Sequence, residues 1–199
     1  MSEAAKKFMK MSIWVVLALF TLRCLIGWGE LSEIKQNADF LKGCYTVFGY
    51  AGEAIGAAAL FMAGFNKWWW KWKPLNALAG GMPILAKHYK GNIRFKLDDI
   101  EKEIASEISI EQTFLNVIVR LSSAESFSNS VTATIETINN EKQLVYTYLN
   151  TPRAELQNRS SMHYGTAMLI IKDSQHLSGN YYTIRLSRGS MNFEAVSGT

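Results

Sequence analysis

Cysteine and histidine, the residues that most often hold a structural metal, are scarce in this chain. The two cysteines, Cys24 and Cys44, form no CxxC pair, and the three histidines are scattered at positions 88, 163 and 176. Without clusters at metal-ligand spacing, we expect no metal site. Both cysteines lie in or beside apolar segments, where we favour two unpaired thiols over a disulfide.

The sequence also lacks the motifs of common catalytic sites. It contains no GxSxG, no P-loop and no HExxH, and its isolated glycine pairs do not connect a strand to a helix as a dinucleotide-binding fold requires. No spacing joins its serines and histidines to an acid in a known catalytic order. We therefore predict that the protein is not an enzyme and uses no cofactor.

Tryptophan is absent after residue 72, and net charge is absent from the distal part of the chain. Residues 1–84 hold nine Lys and Arg against five acids, whereas residues 85–199 hold twelve of each. The whole formal charge of +4 therefore belongs to the first part. The second part lacks the basic surface that polynucleotide binding needs, so we expect no polynucleotide partner.

Two long apolar runs in the first part have the length of membrane-spanning helices, at about residues 9–29 and 44–66. The first is too long for a signal-peptide core and has no small-x-small cleavage site, which favours a retained helix. The segment "ELSEIKQNADFLKG" between the runs is expected to form a short polar turn. A two-helix transmembrane hairpin is therefore predicted for residues 1–74.

Lysines flank the hairpin at its two chain ends. Lys6, Lys7 and Lys10 precede the first run, and "KWWWKWK" (67–73) follows the second. Clustered indoles and lysines are typical of a membrane–water interface, although a surface cluster on a soluble domain is the alternative. The lysine bias predicts that both termini are cytoplasmic. Pro74 is expected to end the second helix.

Two features of the apolar runs are not needed by a simple membrane anchor. A stripe of small residues in the second run lets helix backbones approach closely, either within the hairpin or between several chains. The stripe comprises Gly49, Gly52, Gly56, Ala59 and Ala63. Each run also carries one charged side chain away from its ends, Arg23 in the first and Glu53 in the second. These could pair within one hairpin, meet between chains or line a hydrated gap, and the sequence leaves all three open.

From Tyr89 onward the apolar residues alternate with a period of two. "FLNVIVRLS" places Leu115, Val117, Val119 and Leu121 on one face, and "SVTATIETI" does the same for Val131, Ala133 and Ile135. Eight strands are predicted, near 90–97, 103–111, 113–122, 129–138, 143–150, 164–172, 179–187 and 189–196. Many short strands with turn residues between them indicate an antiparallel sandwich or barrel, and eight can close around one small ligand.

The predicted organisation is thus the hairpin, a linker at 75–88 and a β-barrel ligand-sensing domain at 89–199. The polar connection at 151–163 is expected to form a loop or short helix over one end of the barrel. "LSGNYYTIRLSRGSM" alternates Tyr181, Thr183 and Arg185 with Tyr182, Ile184 and Leu186. An aromatic ring, a hydroxyl and a guanidinium on one face suit a phosphate-linked base, although a solvated Arg beside β-favouring residues gives the same pattern.

The two apolar runs followed by a β-rich domain with "YTYLNTP", "RSSMHYGTA" and "LSGNYYTIRLSRG" resemble the two-transmembrane, β-strand-rich (SMODS-associated) effectors of bacterial CBASS anti-phage systems. The similarity covers essentially the whole chain. It implies a multi-pass protein in inner-membrane lipid with a cytoplasmic, lipocalin-like eight-stranded antiparallel barrel that senses a cyclic dinucleotide. It also implies partnership with a nucleotidyltransferase-type cyclase, homo-oligomerisation of the helices, membrane disruption, and death or growth arrest of the infected cell.

The resemblance also implies site residues, position by position. The cyclic-dinucleotide site would comprise Tyr148, Asn150, Arg159, His163, Thr166, Tyr181, Thr183 and Arg185. Tyr148 and Tyr181 are expected to contact bases, Arg159 or Arg185 a phosphate, and the Thr and Asn side chains base edges or ribose. The small-residue stripe and the two ionisable side chains, and not the resemblance, assign membrane assembly to Arg23, Gly49, Gly52, Glu53 and Gly56. Tyr182 and Ile93 depart from the family pattern, which often has Trp at both positions, and Ile93 cannot stack.

Three alternatives remain open at this stage. The same fold could be held inactive by the nucleotide and released when the nucleotide is lost. A membrane-tethered lipocalin-like barrel could instead carry or sense an apolar ligand, which predicts a dry aliphatic interior with Arg185 outside. The barrel could also be an anchored protein–protein module without a ligand.

Overall fold

The computed structural model of the protein describes residues 1–97, 100–158 and 160–196. The chain divides into two units, one formed by Ala5–Gly81 and one formed by Met82 to the carboxyl terminus together with Met1–Ala4. Helices make up the first unit and strands dominate the second. The predicted combination of an N-terminal apolar helical region and an all-β barrel is confirmed.

Two long apolar helices form most of the helical unit. α1 spans Glu3–Ile26 and α3 spans Phe40–Lys67, and both are long and apolar enough to cross a membrane. Between them lies α2 (Trp28–Gln36), and α4 (Lys73–Leu78) follows a 3-10 turn at Trp69–Lys71. Cys24 and Cys44 are free thiols, as predicted.

The connection between the long helices differs from the predicted polar turn, because most of it is α2. Gly27 separates α1 from α2, and a Cβ added there would lie 2.2 Å from the Tyr50 hydroxyl oxygen. α2 is held in place by its buried Ile34 and by Glu30, which accepts a 2.6 Å hydrogen bond from Tyr50. An amphipathic helix therefore replaces the expected turn.

The Trp/Lys segment also departs from expectation in two respects. α3 ends at Lys67, so Pro74 does not end it; Pro74 lies in the first turn of α4, where its missing N–H is not needed. Trp68 and Trp72 are exposed, as an interfacial side chain would be, but Trp70 is fully buried. One of the four indoles therefore packs against protein instead of facing the surroundings.

Eight antiparallel strands form a closed barrel in which each strand pairs with the next and β8 pairs with β1. The strands are β1 (His88–Leu97), β2 (Ile100–Gln112), β3 (Val117–Ser123), β4 (Ser126–Ile138), β5 (Glu141–Pro152), β6 (His163–Ile171), β7 (His176–Thr183) and β8 (Arg188–Ala195). The predicted eight-stranded antiparallel barrel is confirmed. A 3-10 turn at Ala154–Leu156 lies in the connection between β5 and β6, where a loop or short helix was expected.

β3 begins later and β7 ends earlier than the alternation predicts. Residues 113–116 form a turn in which the Thr113 amide donates to the Asn116 carbonyl, so Leu115 is exposed ahead of the strand. β7 ends at Thr183, and Leu186 in the following turn has a left-handed φ of 62°. Arg185 therefore belongs to a turn and not to a strand.

A β-bulge in β4 changes which residues face the interior. The register with β5 shifts between Ser130 and Thr132, so that an extra residue is inserted on β4. Val131 consequently points outward and is 61% exposed, whereas Ile135 is buried. The prediction that Val131 shares a face with Ile135 is wrong, because Val131 is itself the extra, unpaired residue of the bulge.

One end of the barrel, here called the closed end, is filled by apolar side chains. Its fully buried residues include Tyr89, Leu144, Leu169, Leu177 and Phe193, each contributing about 1.5–3 kcal/mol through burial. The segment preceding β1 is fixed here by Gln112, whose amide accepts from Leu85 N and donates to the Pro83 carbonyl. The opposite end, the open end, carries the β3–β4, β5–β6 and β7–β8 connections, together with the end of β1 and the beginning of β2.

Candidate functional site

A cavity of about 590 Å³ occupies the open half of the barrel. Its size is that of pockets that bury a drug-sized ligand. The lining combines aromatic, hydroxyl, amide and charged groups: Ile93, Phe95, Lys96, Lys102, Glu125, Ser128, Tyr146, Tyr148, Asn150, Ser160, His163, Tyr181, Thr183 and Arg185 are among its residues. The polar half of the interior thus lies directly above the apolar core of the closed end.

Two tyrosines in this cavity each lie opposite a glycine on the neighbouring strand. Tyr148 pairs with Gly165, and Tyr181 pairs with Gly189. A Cβ added to Gly165 would lie 2.5 Å from the Tyr148 Cζ and hydroxyl oxygen, and one on Gly189 would lie 2.7 Å from Tyr181 Cε1. The rings therefore occupy space along the barrel wall that any other residue type would fill.

The phenol groups of both tyrosines remain protonated at neutral pH. Burial, with a smaller contribution from Tyr181, raises the pKa of Tyr148, and burial raises the pKa of Tyr181. A neutral phenol can donate a hydrogen bond and can present its ring face for stacking. Both properties suit contact with a nucleobase.

An amide side chain in the cavity is oriented by a buried serine. Ser128, 6% exposed, donates from its hydroxyl to Asn150 Oδ1 at 2.8 Å. Asn150 lies across from Ser128 on one side and from His163 on the other. Because the Asn150 oxygen already accepts this bond, its NH₂ group is the part suited to donate to a ligand.

Positive charge predominates among the described residues that line the cavity. Lys96, Lys102 and Arg185 are cationic, and Glu125 is the carboxylate that opposes them. Arg185 lies on the β7–β8 turn, and its guanidinium donates to the Ser160 hydroxyl at 2.7 Å. A guanidinium has five N–H donors, so others remain for an anionic oxygen.

Charged side chains on the outer wall have a different arrangement. A groove of about 520 Å³ crosses β1 to β4 and includes Lys90, Glu107 and Arg120. Lys90 pairs with Glu107 at 3.0 Å, and Arg120 pairs with Glu111. These cations are neutralised by neighbouring carboxylates, so the groove is a weaker candidate for an anion than the interior.

The structure brings six of the eight predicted ligand residues to the cavity: Tyr148, Asn150, His163, Tyr181, Thr183 and Arg185. Thr166 is not among them. It points outward, since the inward face of β6 consists of Gly165, Ala167 and Leu169, and its hydroxyl lies 3.4 Å from that of Thr147. Arg159 lies outside the described residues. We therefore remove Thr166 from the proposed site.

A family comparison decides between the kinds of barrel that this geometry allows. Residues 81–195, which include all eight strands and the cavity, match the model described as "Cap15, cyclic dinucleotide receptor domain". The chain belongs to the Cap15 family. It is also 30% identical to the CD-NTase-associated protein 15 of Staphylococcus schleiferi over 133 residues, which cover 67% of this chain and 71% of that protein. The resemblance to β-barrel CBASS effectors is therefore confirmed.

Sequence reasoning missed several lining residues of this Cap15 barrel, including Tyr146, Ser128, Ser160 and Lys102. For Tyr146 the signal was present, because it lies two positions before Tyr148 and so shares its strand face. The contribution of Ser128 depends on the register between β4 and β5. That register includes the bulge, which the sequence does not mark.

In the helical unit of this Cap15 chain, Arg23 and Glu53 form a pair. Their Nε and Oε2 atoms lie 2.6 Å apart, and the Arg23 guanidinium also lies 3.8 Å from the centre of the Tyr50 ring. The stripe glycines, unlike Arg23 and Glu53, have no neighbour from another element in the described part of the chain: a Cβ added to Gly49, Gly52 or Gly56 would meet nothing within 4 Å. α3 instead buries Tyr50, Ala54, Ala58 and Met62 on its opposite face. The stripe does not take part in the packing of the described helices.

Proposed function

We propose that this Cap15-family chain binds a cyclic dinucleotide inside the open half of its barrel, and that binding promotes assembly of several copies through their membrane helices. The assembled helices would disrupt the bacterial inner membrane and kill or arrest the infected cell. The observation that carries the proposal is the convergence of two tyrosine rings, an oriented amide and three cationic side chains on one cavity.

Each chemical part of a cyclic dinucleotide has a counterpart in the cavity. Tyr148 and Tyr181 offer ring faces for the two bases, and the Asn150 amide can donate to a base edge or a ribose. Arg185, with Lys96 and Lys102, supplies charge for the two phosphates. A ligand with two negative charges would offset the excess of two positive charges that Lys96, Lys102, Arg185 and Glu125 give together among the described lining residues.

The polarity of the cavity favours a nucleotide over an apolar ligand. A carrier of fatty acids would need a dry aliphatic interior with Arg185 outside, yet Arg185, Ser128 and Asn150 all line this cavity. Burying these groups against hydrocarbon would cost roughly 1–3 kcal/mol for each unpaired polar group. We therefore rank the apolar-ligand function below the nucleotide function.

Assembly is supported by the small-residue stripe of α3. Gly49, Gly52 and Gly56 are exposed and leave room for the backbone of another helix. The ligand would shift the population toward the assembled state only by as much as it binds that state better. The lysines at both ends of the hairpin support a topology in which both termini, and hence the barrel, are cytoplasmic.

Titration calorimetry of the full chain in detergent micelles tests the binding step. The probes are cyclic di-AMP, cyclic di-GMP, cyclic GMP–AMP and cyclic UMP–AMP, with palmitate as the apolar competitor. Saturable 1:1 binding of at least one cyclic dinucleotide, without binding of palmitate, is expected. Binding of palmitate alone would assign the barrel to apolar ligands.

The direction of the response is tested separately. The chain is expressed in bacteria together with an active nucleotidyltransferase-type cyclase that makes the bound nucleotide, or with its catalytically inactive variant. Toxicity that requires the active cyclase supports ligand-induced assembly. Toxicity only with the inactive cyclase would mean that the nucleotide holds the effector inactive.

A further inference from the structure

Tyr146 places a polar atom in the interior of the barrel without a partner. Its side chain lies on the cavity lining and is 2% exposed, and its hydroxyl makes no hydrogen bond with any described residue. Leaving a buried hydroxyl unpaired costs about 1–3 kcal/mol. Native proteins rarely accept this cost without a functional reason.

Tyr89 provides a direct comparison within the same barrel. It is fully buried at the closed end, and its hydroxyl accepts from Ala86 N and donates to the Ser174 carbonyl, each at 2.9 Å. The fold can therefore supply hydrogen-bond partners to an interior tyrosine hydroxyl that has a structural role. The unpaired hydroxyl of Tyr146 is specific to its position.

That position is the boundary between the apolar core and the polar cavity. Tyr146 lies at the middle of β5 between Ala133 and Ala167, whose methyl groups offer no polar partner. Its ring centre lies 5.7 Å from that of Tyr148, and the two rings are tilted by 46°. Tyr146 therefore borders, on the closed-end side, the space in which a base would stack on Tyr148.

The hydroxyl is suited to bind a neutral base edge. Burial, with a smaller contribution from Tyr148, raises the pKa of Tyr146. The group is consequently protonated at every physiological pH, and it can donate one hydrogen bond and accept another. It carries no charge, so the cationic side chains of the lining suit the phosphates better, and a base edge, which offers both donors and acceptors, suits this hydroxyl.

We propose that Tyr146 is a specificity-determining residue of the ligand site, which hydrogen-bonds the deep edge of the base that stacks on Tyr148. The inference rests on the proposed function. Its oxygen is covered in this structure, so the proposal requires a side-chain shift that uncovers the oxygen when the base binds. A base that offers no partner at this edge leaves the hydroxyl unpaired and is disfavoured, which gives discrimination between bases.

Tyr146→Phe distinguishes a ligand contact from a structural hydroxyl, and Tyr89→Phe is the matched control. Both are compared with the wild-type full chain in detergent by thermal unfolding without ligand and by calorimetry with the four cyclic dinucleotides. Tyr146→Phe is expected to unfold at the same or a higher temperature, yet to bind the preferred probe about 3- to 10-fold more weakly. The difference in affinity between the preferred probe and the other three should become smaller than in the wild type. Tyr89→Phe should unfold at a lower temperature with unchanged affinity.

Two results would overturn the inference. Wild-type affinity and preference in Tyr146→Phe would show that the hydroxyl does not contact the ligand, and a lowered unfolding temperature would then assign it to a buried water. Failure of the wild-type chain to bind any of the four probes would overturn the proposed function itself and this inference with it. The first result leaves the proposed function intact, so the two failures are distinguishable.

Discussion

The guanidinium of Arg185 donates to the hydroxyl of Ser160 across 2.7 Å, which joins the β7–β8 turn to the long connection between β5 and β6. Both residues line the open half of the barrel. Arg185 is therefore held at the cavity by an uncharged partner, which does not neutralise it. A phosphate can engage the remaining N–H donors or displace the serine.

Arg185→Ala is expected to weaken cyclic dinucleotide binding about 10- to 100-fold, because it removes charge-assisted hydrogen bonds to phosphate. Folding should be nearly unchanged, since the side chain is exposed. Arg188→Ala is the matched control, because Arg188 is also exposed but does not line the cavity. Calorimetry checks both variants. Equal affinities for Arg185→Ala and Arg188→Ala would remove Arg185 from the site.

Glu125→Gln is expected to raise affinity up to about 5-fold, because it removes the carboxylate that opposes the ligand's phosphates. Affinity of the wild type should fall as salt is raised from 50 to 500 mM, and the variant should show the same trend. Glu155→Gln, which removes a carboxylate outside the lining, should leave affinity unchanged. Weaker binding by Glu125→Gln would mean that Glu125 contacts the ligand as an acceptor.

Gly165→Ala is expected to displace the Tyr148 ring, since the new Cβ would meet it at 2.5 Å. We expect a loss of about 1–3 kcal/mol in stability together with weaker binding. In a Tyr148→Ala background the same substitution should have little further effect, because the ring that it displaces is gone. A double-mutant cycle by unfolding and calorimetry measures this coupling. Additive effects would show that Gly165→Ala disturbs the backbone and not the Tyr148 ring.

The pH dependence of barrel stability follows from the buried phenols. The pKa of Tyr148 is raised in the folded state, so its contribution to stability is complete below the unfolded pKa of about 10 and is lost as pH rises above it. The unfolding temperature should be constant from about pH 7 to 9 and then fall. Above that range the free energy of unfolding of Tyr148→Phe should fall less steeply than that of the wild type, by up to about 1.4 kcal/mol per pH unit. An identical alkaline slope in both proteins would contradict the raised pKa.

Gly52→Leu is expected to leave ligand binding intact and to abolish toxicity, because the added side chain blocks the approach of a second helix. Ala57→Leu is the control, since Ala57 is exposed on α3 away from the stripe. Growth of cells that also express the cyclase gives the readout, with calorimetry as the check on binding. Full toxicity of Gly52→Leu would exclude the stripe from assembly.

The sequence was sufficient for the architecture because each element follows a local pattern. Two apolar runs are long enough to cross the hydrocarbon core of a bilayer, and alternation marks eight strands. Prediction from the sequence failed where the structure depends on contacts between elements that are distant in the chain. The bulge that turns Val131 outward arises from the pairing of β4 with β5, and the position of α2 depends on Tyr50 of another helix, which binds Glu30 and packs against Gly27.

The site was predicted only in part, because strand faces, like the bulge, depend on pairing between strands. Motif resemblance identified which segments contribute, but it does not specify which face of a strand a residue occupies. Thr166 illustrates this, because the alternating Gly165, Ala167 and Leu169 already mark the inward face of β6 and exclude it. The spacing of Tyr146 and Tyr148 already places both on one face of β5, but the missing partner of the Tyr146 hydroxyl is visible only in the structure.

Photo-crosslinking with an azido-adenine cyclic dinucleotide tests the central claim most directly. The probe is bound to the wild-type full chain in detergent, irradiated, and the labelled residues are mapped by mass spectrometry, with excess unlabelled nucleotide as the competitor. The account predicts competable labelling of β5 and β7 around Tyr148 and Tyr181. Competable labelling confined to the outer groove at Lys90 and Arg120 would contradict it.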